Sequence, residues 1–141
     1  MKKLFRYLPF ILYTLGFVSF IIPVVYEKLE DGVVSFNMFS LIFGLNGQDL
    51  SIGLLLAFIM LFVGVLLAIS LEWKKSNIML SIAVIATLAS GTLFFFARIL
   101  SNPSVTGLNI NAGLILPGIF IIAGAIILFI NNKIIYNKKD E

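Results

Sequence analysis

Residues 51–71 read SIGLLLAFIMLFVGVLLAISL, a run without a single charged side chain. About 20 helical residues, at a rise of 1.5 Å each, cross a hydrocarbon core of roughly 30 Å. Three further apolar runs of similar length cover residues 7–26, 77–100 and 112–131, and among these only the run 77–100 carries a charge, Arg98. The sequence therefore predicts four transmembrane helices.

The composition supports lipid rather than water as the solvent of these helices. Hydrophobic residues make up 60% of the 141-residue chain and charged residues 12%, against roughly 45–50% and 25% in soluble domains. None of the four runs keeps a polar face that could meet water. We therefore expect an all-α membrane protein with a single domain, residues 1–141, folded as an antiparallel four-transmembrane-helix bundle with a short structured extracellular cap.

The chain contains neither cysteine nor histidine. Disulfides, thiolate chemistry and cysteine metal sites are therefore excluded, and the commonest general base and metal ligand is missing. All seven carboxylates fall in loops or at the C-terminus, and no lysine falls within a run. We expect a protein that is not an enzyme and has no catalytic, cofactor or metal site. The Ile-, Asn- and Lys-rich composition is typical of an AT-rich bacterial genome.

The placement of basic residues predicts the orientation in the cell membrane. In a four-span topology, eight of the ten fall on the side that holds both termini, and only Lys28 and Arg98 fall on the other. Lysine and arginine concentrate in cytoplasmic segments, so we expect both termini in the cytoplasm. The basic flanks are expected to contact anionic lipid headgroups. Because these residues border apolar runs, we expect no nucleic-acid partner.

The outer segment 27–50 is long for a simple connection, and its residues 33–44 read VVSFNMFSLIFG. One interpretation is an interfacial helix over Phe36–Phe43, capped by Ser35 and ended by Gly44. The other is a strand over Val33–Phe36, paired with Val105–Ile110 of the second outer segment, 101–111. We favour the helix. In either case Phe36, Phe39 and Phe43 are the predicted surface for a partner.

Charged residues at the outer side are the candidates for a ligand contact. Arg98 lies about one turn from the end of its run, so its side chain can reach the headgroups or pair with a carboxylate, and the alternative is contact with an anionic ligand. Glu27, Glu30 and Asp31 would share one face if the first helix extended through them, as a divalent-cation site needs. We favour a solvated acidic loop that contributes to the orientation.

Small residues recur along each run, as close packing between helices in lipid requires. The second run carries Gly53, Ala57, Gly64 and Ala68, and the third carries Ala83, Thr87 and Gly91. Such positions serve either packing within one chain or association of two copies. We favour packing within the chain.

These observations favour a non-enzymatic protein, a structural or accessory component that binds a partner through its outer segments. The partner would be another protein or further copies of this chain. The alternative is a subunit of an oligomeric small transporter or channel. The sequence carries no motif that identifies a substrate.

Overall fold

The computed structural model describes residues 2–29, 32–45, 50–100 and 112–135. The described part is mostly helical, with one two-stranded sheet. Within these residues, four segments are long and apolar enough to cross a membrane: Leu4–Ile21, Ile52–Ser70, Asn77–Phe95 and Gly113–Lys133. The elements are α1 (Lys2–Val18), a 3₁₀ turn (Ser19–Ile21), β1 (Pro23–Leu29), β2 (Gly32–Asn37), α2 (Met38–Phe43), α3 (Ile52–Ser70), α4 (Asn77–Phe95), α5 (Ala97–Leu100), α6 (Ala112–Ile130) and a π-helical turn (Asn131–Ile135).

Two of the predicted helices are confirmed almost residue for residue. Helices α3 and α6 lie within one residue of the predicted runs at each end. Serine side chains cap two helices, because the Leu54 amide donates to Ser51 Oγ and the Met79 amide donates to Ser76 Oγ, both at 3.4 Å. Such caps satisfy amides that the first helical turn leaves without a partner.

The third run is interrupted near its end. Helix α4 ends at Phe95, Phe96 has φ −91° and ψ 19°, and the short α5 continues to Leu100. Ser51 Oγ donates to the Leu100 carbonyl at 2.7 Å, which ties α5 to the start of α3. The prediction of one continuous helix over 77–100 is therefore wrong at this position.

The first helix differs most from the prediction. It begins at Lys2 rather than Tyr7, and it ends at Val18 before a 3₁₀ turn. Pro23 explains the early end, because the helical region is disfavoured for a residue that precedes proline, and Ile22 is extended with ψ 130°. Because α1 begins at Lys2, Pro9 lies inside the helix and not in its first turn.

From Pro23 onward the chain forms a β-hairpin. Strands β1 and β2 pair antiparallel, with Val25 opposite Phe36 and Leu29 opposite Gly32. The valine pairs of both strands suit extended backbone. The predicted strand thus exists, but β1 is its partner. The expected partner segment Val105–Ile110 lies outside the described residues.

The predicted short helix also exists, two residues later than expected. Helix α2 begins at Met38, and its cap is Asn37, whose Oδ1 accepts from the Ser40 amide at 3.0 Å. Ser35 is not the cap, because it lies within β2. Gly44 ends the helix as predicted, with φ 64°, a conformation that favours glycine.

Small residues bring the long helices together within the chain. Helix α3 packs against α4, α4 against α6, and α6 against α1. A Cβ built on Gly64 would lie 2.6 Å from Thr87 Cγ2, and one on Gly118 would lie 2.9 Å from the Gly91 carbonyl oxygen. Packing within the chain is therefore confirmed for these glycines. We call the side of the molecule with the β-hairpin the hairpin end, and the side with the turn 71–76 the turn end.

Candidate functional site

Six phenylalanines form an aromatic cluster at the hairpin end. Phe20 is fully buried at its centre, and its ring centroid lies 4.8 Å from that of Phe94 and 5.4 Å from that of Phe39. These distances are typical of favourable aromatic pairs. The cluster connects the end of α1 to α2, α3 and α4, and its members are Phe17, Phe20, Phe39, Phe43, Phe58 and Phe94.

Helix α2 rests on this cluster through its own apolar residues. Met38, Leu41 and Ile42 are buried, as is the Ser40 side chain. The Phe39 ring lies edge-on to those of Phe17 and Phe20. Helix α2 is consequently packed against the interior of the hairpin end.

The predicted partner surface is corrected by these positions. Phe36 is only 4% exposed and Phe39 is partly buried, so both stabilise the fold rather than face a partner. Phe43 is 40% exposed, and Leu45, two residues later, and Leu50, just before α3, are exposed as well. We call Phe43, Leu45 and Leu50 the hairpin-end surface.

The predicted charged contacts are only partly within the described structure. Glu27 lies in β1, opposite Val34, so the helical extension that would align it with the next carboxylates does not form. Glu30 and Asp31 lie outside the described residues. Arg98 lies in α5, a segment held beside the start of α3 by Ser51. Its side chain is also outside the described part.

Hydroxyl side chains between the long helices form hydrogen bonds with neighbouring groups. The Tyr13 hydroxyl donates to Thr87 Oγ1 at 3.3 Å, and Thr87 in turn donates to the Ala83 carbonyl at 2.8 Å. Ser90 Oγ donates to the Ala57 carbonyl at 2.8 Å, which joins α4 to α3. These bonds give the hydroxyls a packing role, the usual one for serine and threonine in membrane helices.

The turn end carries two further contacts that the sequence did not suggest. Arg6 forms an ion pair with Glu72 and lies 6.0 Å from the centre of the Tyr7 ring. Asn131 Nδ2 donates to the Phe5 carbonyl at 2.6 Å. The signal for the second contact was Pro9, because a proline inside a helix frees the carbonyl four residues earlier. Trp73, in the turn itself, is 85% exposed.

Comparison with known proteins found no relative of this chain. No protein-family model matches the chain, and neither the curated proteins nor the solved structures gave a match. The described residues show a hairpin end that is packed on an aromatic cluster and has an exposed apolar surface, together with four helices that are long and apolar enough to cross a membrane.

Proposed function

We propose that this chain is a multi-pass membrane protein without catalytic activity, a structural or accessory component that binds a protein partner through its hairpin end. The observation that supports this proposal most is the position of α2. Its buried side packs on the aromatic cluster, whereas Phe43 and Leu45, two residues later, remain exposed. An apolar surface carried by a packed helix needs less ordering on binding than an unsupported segment would.

The proposed architecture is an antiparallel four-helix bundle. Three contacts of α3 with α4 and with α5, which follows it, support the architecture: Gly53 lies beside Leu100, Ala57 accepts a hydrogen bond from Ser90, and Gly64 faces Thr87. Residue numbers rise along one helix as they fall along the other, as an antiparallel pair requires.

The proposed orientation places the turn end and both termini in the cytoplasm. Lys74, Lys75 and Lys133 lie at the turn end and are exposed, and the first turns of α1 add Lys2, Lys3 and Arg6. The concentration of basic residues at one end supports a cytoplasmic location for it. The hairpin end would then face the opposite compartment and its partners there.

Site-specific photo-crosslinking tests the partner surface. A photoreactive phenylalanine analogue at position 43 should give a discrete protein adduct in native membranes, and Leu45→Glu should weaken that adduct several-fold. The matched control is the same analogue at Ile85, which is 66% exposed on α4. Equal adducts at both positions, or none at position 43, would contradict the proposal.

Transport is the competing function, and purified protein in proteoliposomes separates the two. We expect ion and small-solute flux equal to that of protein-free vesicles, because Thr87 and Ser90 are buried and their hydroxyls bond to backbone carbonyls. A protein-dependent flux that changes in the Thr87→Val variant would replace the accessory role with a transporter or channel role.

A further inference from the structure

Helices α1 and α3 face each other across a cavity of about 330 Å³. At the hairpin end the two helices approach through Phe17 and Phe58, whose ring centroids are 6.2 Å apart. At the turn end the Arg6–Glu72 ion pair joins α1 to the residues that follow α3. The space between is open sideways, because Phe62 on its rim is 60% exposed.

The wall of this cavity, which we call the α1–α3 groove, is apolar. Helix α1 contributes Phe10, Tyr13, Thr14 and Phe17, and α3 contributes Phe58, Leu61, Phe62, Val65 and Ile69. Both hydroxyl groups already donate hydrogen bonds, Tyr13 to Thr87 and Thr14 to the Phe10 carbonyl. A solute that accepts hydrogen bonds would therefore lose its water without gaining a hydrogen-bond donor from either hydroxyl. The wall suits a hydrocarbon.

The dimensions select the kind of hydrocarbon. From Phe58 to Ile69 the groove follows α3 for roughly 16 Å, about the thickness of one leaflet. A partner helix about 10 Å wide would fill on the order of 1,000 Å³ over that length, far more than the groove holds. A single extended acyl chain needs much less width.

The charges beyond the groove select the headgroup. The turn end lies one helical turn past Phe10 and Ile69, and there Arg6 and Glu72 neutralise each other. Lys74 and Lys75 follow at once and are exposed, together with Trp73. Tryptophan and lysine are typical of the headgroup level, where cations attract anionic lipids.

We infer that the α1–α3 groove binds one acyl chain of an anionic phospholipid, whose headgroup lies at Lys74 and Lys75. This site is separate from the hairpin-end surface and does not depend on the partner proposed above. A lipid held there would fill the space between two helices that contact each other mainly through their ends, and would thereby stabilise their relative position.

Photo-labelling of the full-length protein tests the site directly. The probe is phosphatidylglycerol with a diazirine on one acyl chain, present as a minor component of phosphatidylcholine vesicles that contain the purified protein. Peptide mass spectrometry should locate adducts preferentially at Phe62 rather than at Ile85, which is 66% exposed on α4. An even distribution over these two residues would overturn the inference.

Filling the groove gives a second test with a matched control. Val65→Trp places an indole inside the groove, whereas Leu66→Trp adds the same indole to the next residue, which does not line it. The labelling of Phe62 should fall by about tenfold, equivalent to roughly 1.4 kcal/mol, in the first variant only. Equal labelling of both variants would overturn the inference.

Competition between the photoreactive lipid and unlabelled lipids can be measured in the unmodified protein, so this test does not depend on the folding of a variant. Unlabelled phosphatidylglycerol should compete for Phe62 labelling better than phosphatidylcholine, and Lys74→Gln should reduce that advantage roughly fivefold. Equal competition by the two lipids would overturn the assignment of an anionic lipid. A disulfide-linked dimer formed efficiently by Phe62→Cys would assign the groove to a second copy of the chain and overturn lipid occupancy.

Discussion

Asn131, the first residue of the π-helical turn that follows α6, donates a hydrogen bond to the carbonyl of Phe5 in α1 at 2.6 Å. Phe5 lies four residues before Pro9, and proline has no amide hydrogen to offer that carbonyl. In a membrane helix such a freed carbonyl needs another donor. Asn131 supplies it across 126 residues of sequence, so one side chain both repairs α1 and joins it to α6.

We expect Asn131→Leu to lower the free energy of unfolding by about 1–3 kcal/mol, because it leaves the Phe5 carbonyl without a donor. Pro9→Ala restores the helical amide, so the same Asn131 substitution in that background should have a clearly smaller effect. Unfolding in mixed micelles with increasing denaturing detergent measures both values. Equal losses in the two backgrounds would show that Asn131 does not compensate for the proline.

Gly118→Ala is expected to destabilise the protein. The added Cβ would lie 2.9 Å from the Gly91 carbonyl oxygen and 3.0 Å from the Phe95 backbone nitrogen, neither of which can rotate away. Overpacking costs about 1–3 kcal/mol, which outweighs a helix-propensity gain of up to about 1 kcal/mol.

The control is Gly53→Ala, where the nearest atom is the flexible end of Leu100 at 3.2 Å. Its unfolding free energy should be unchanged or slightly raised. If Gly118→Ala and Gly53→Ala melt at the same temperature in detergent, the close contact of α4 with α6 is not as described.

Phe20→Ala should loosen the hairpin end. Its ring contacts those of Phe17, Phe39, Phe58 and Phe94, and its removal leaves a cavity beneath α2. We expect a loss near the lower end of about 3–5 kcal/mol, because lipid rather than water solvates much of the unfolded chain.

Limited proteolysis reports the loosening locally, through faster cleavage within 38–45. Phe129→Ala is the matched control, since that ring is 45% exposed on α6. Identical cleavage rates in the two variants would indicate that α2 does not depend on the aromatic cluster.

Tyr13 and Thr87 should behave as a coupled pair. Thr87→Val removes the acceptor of the Tyr13 hydroxyl and leaves that group buried without a partner, at a cost of about 1–3 kcal/mol. Tyr13→Phe removes only one bond, worth about 0.6 kcal/mol on average in membrane proteins. The double variant should therefore be more stable than Thr87→Val alone. Strict additivity in this cycle would contradict the hydrogen bond.

The sequence predicts the long helices well because an uninterrupted apolar run is a local property. Helices α3 and α6 end where the hydrophobic residues end. The start of α1 was missed because Lys2, Lys3 and Arg6 are charged, although they are good helix formers. Its end was missed because Pro23 falls inside an otherwise apolar run, and the break there reflects backbone sterics rather than hydropathy.

The hairpin end could be predicted only in pieces. The motif from Val33 to Gly44 carries signals for both a strand and a helix, and both are present in succession. The residues of β2 do not themselves indicate which segment pairs with them. In the structure the partner is β1, the segment just before β2. The burial of Phe36 and Phe39 likewise depends on separate elements meeting in the fold, so spacing alone could not assign these two residues to the interior.

The central claim, four membrane crossings with the turn end in the cytoplasm, is tested by labelling single cysteines, since the chain contains none of its own. Leu45→Cys and Lys74→Cys place one thiol at each end, both at exposed positions. A membrane-impermeant maleimide should label position 45 in intact cells and position 74 only after permeabilisation. Labelling of position 74 in intact cells, with position 45 protected, would contradict the orientation, and labelling of both would contradict the membrane topology itself.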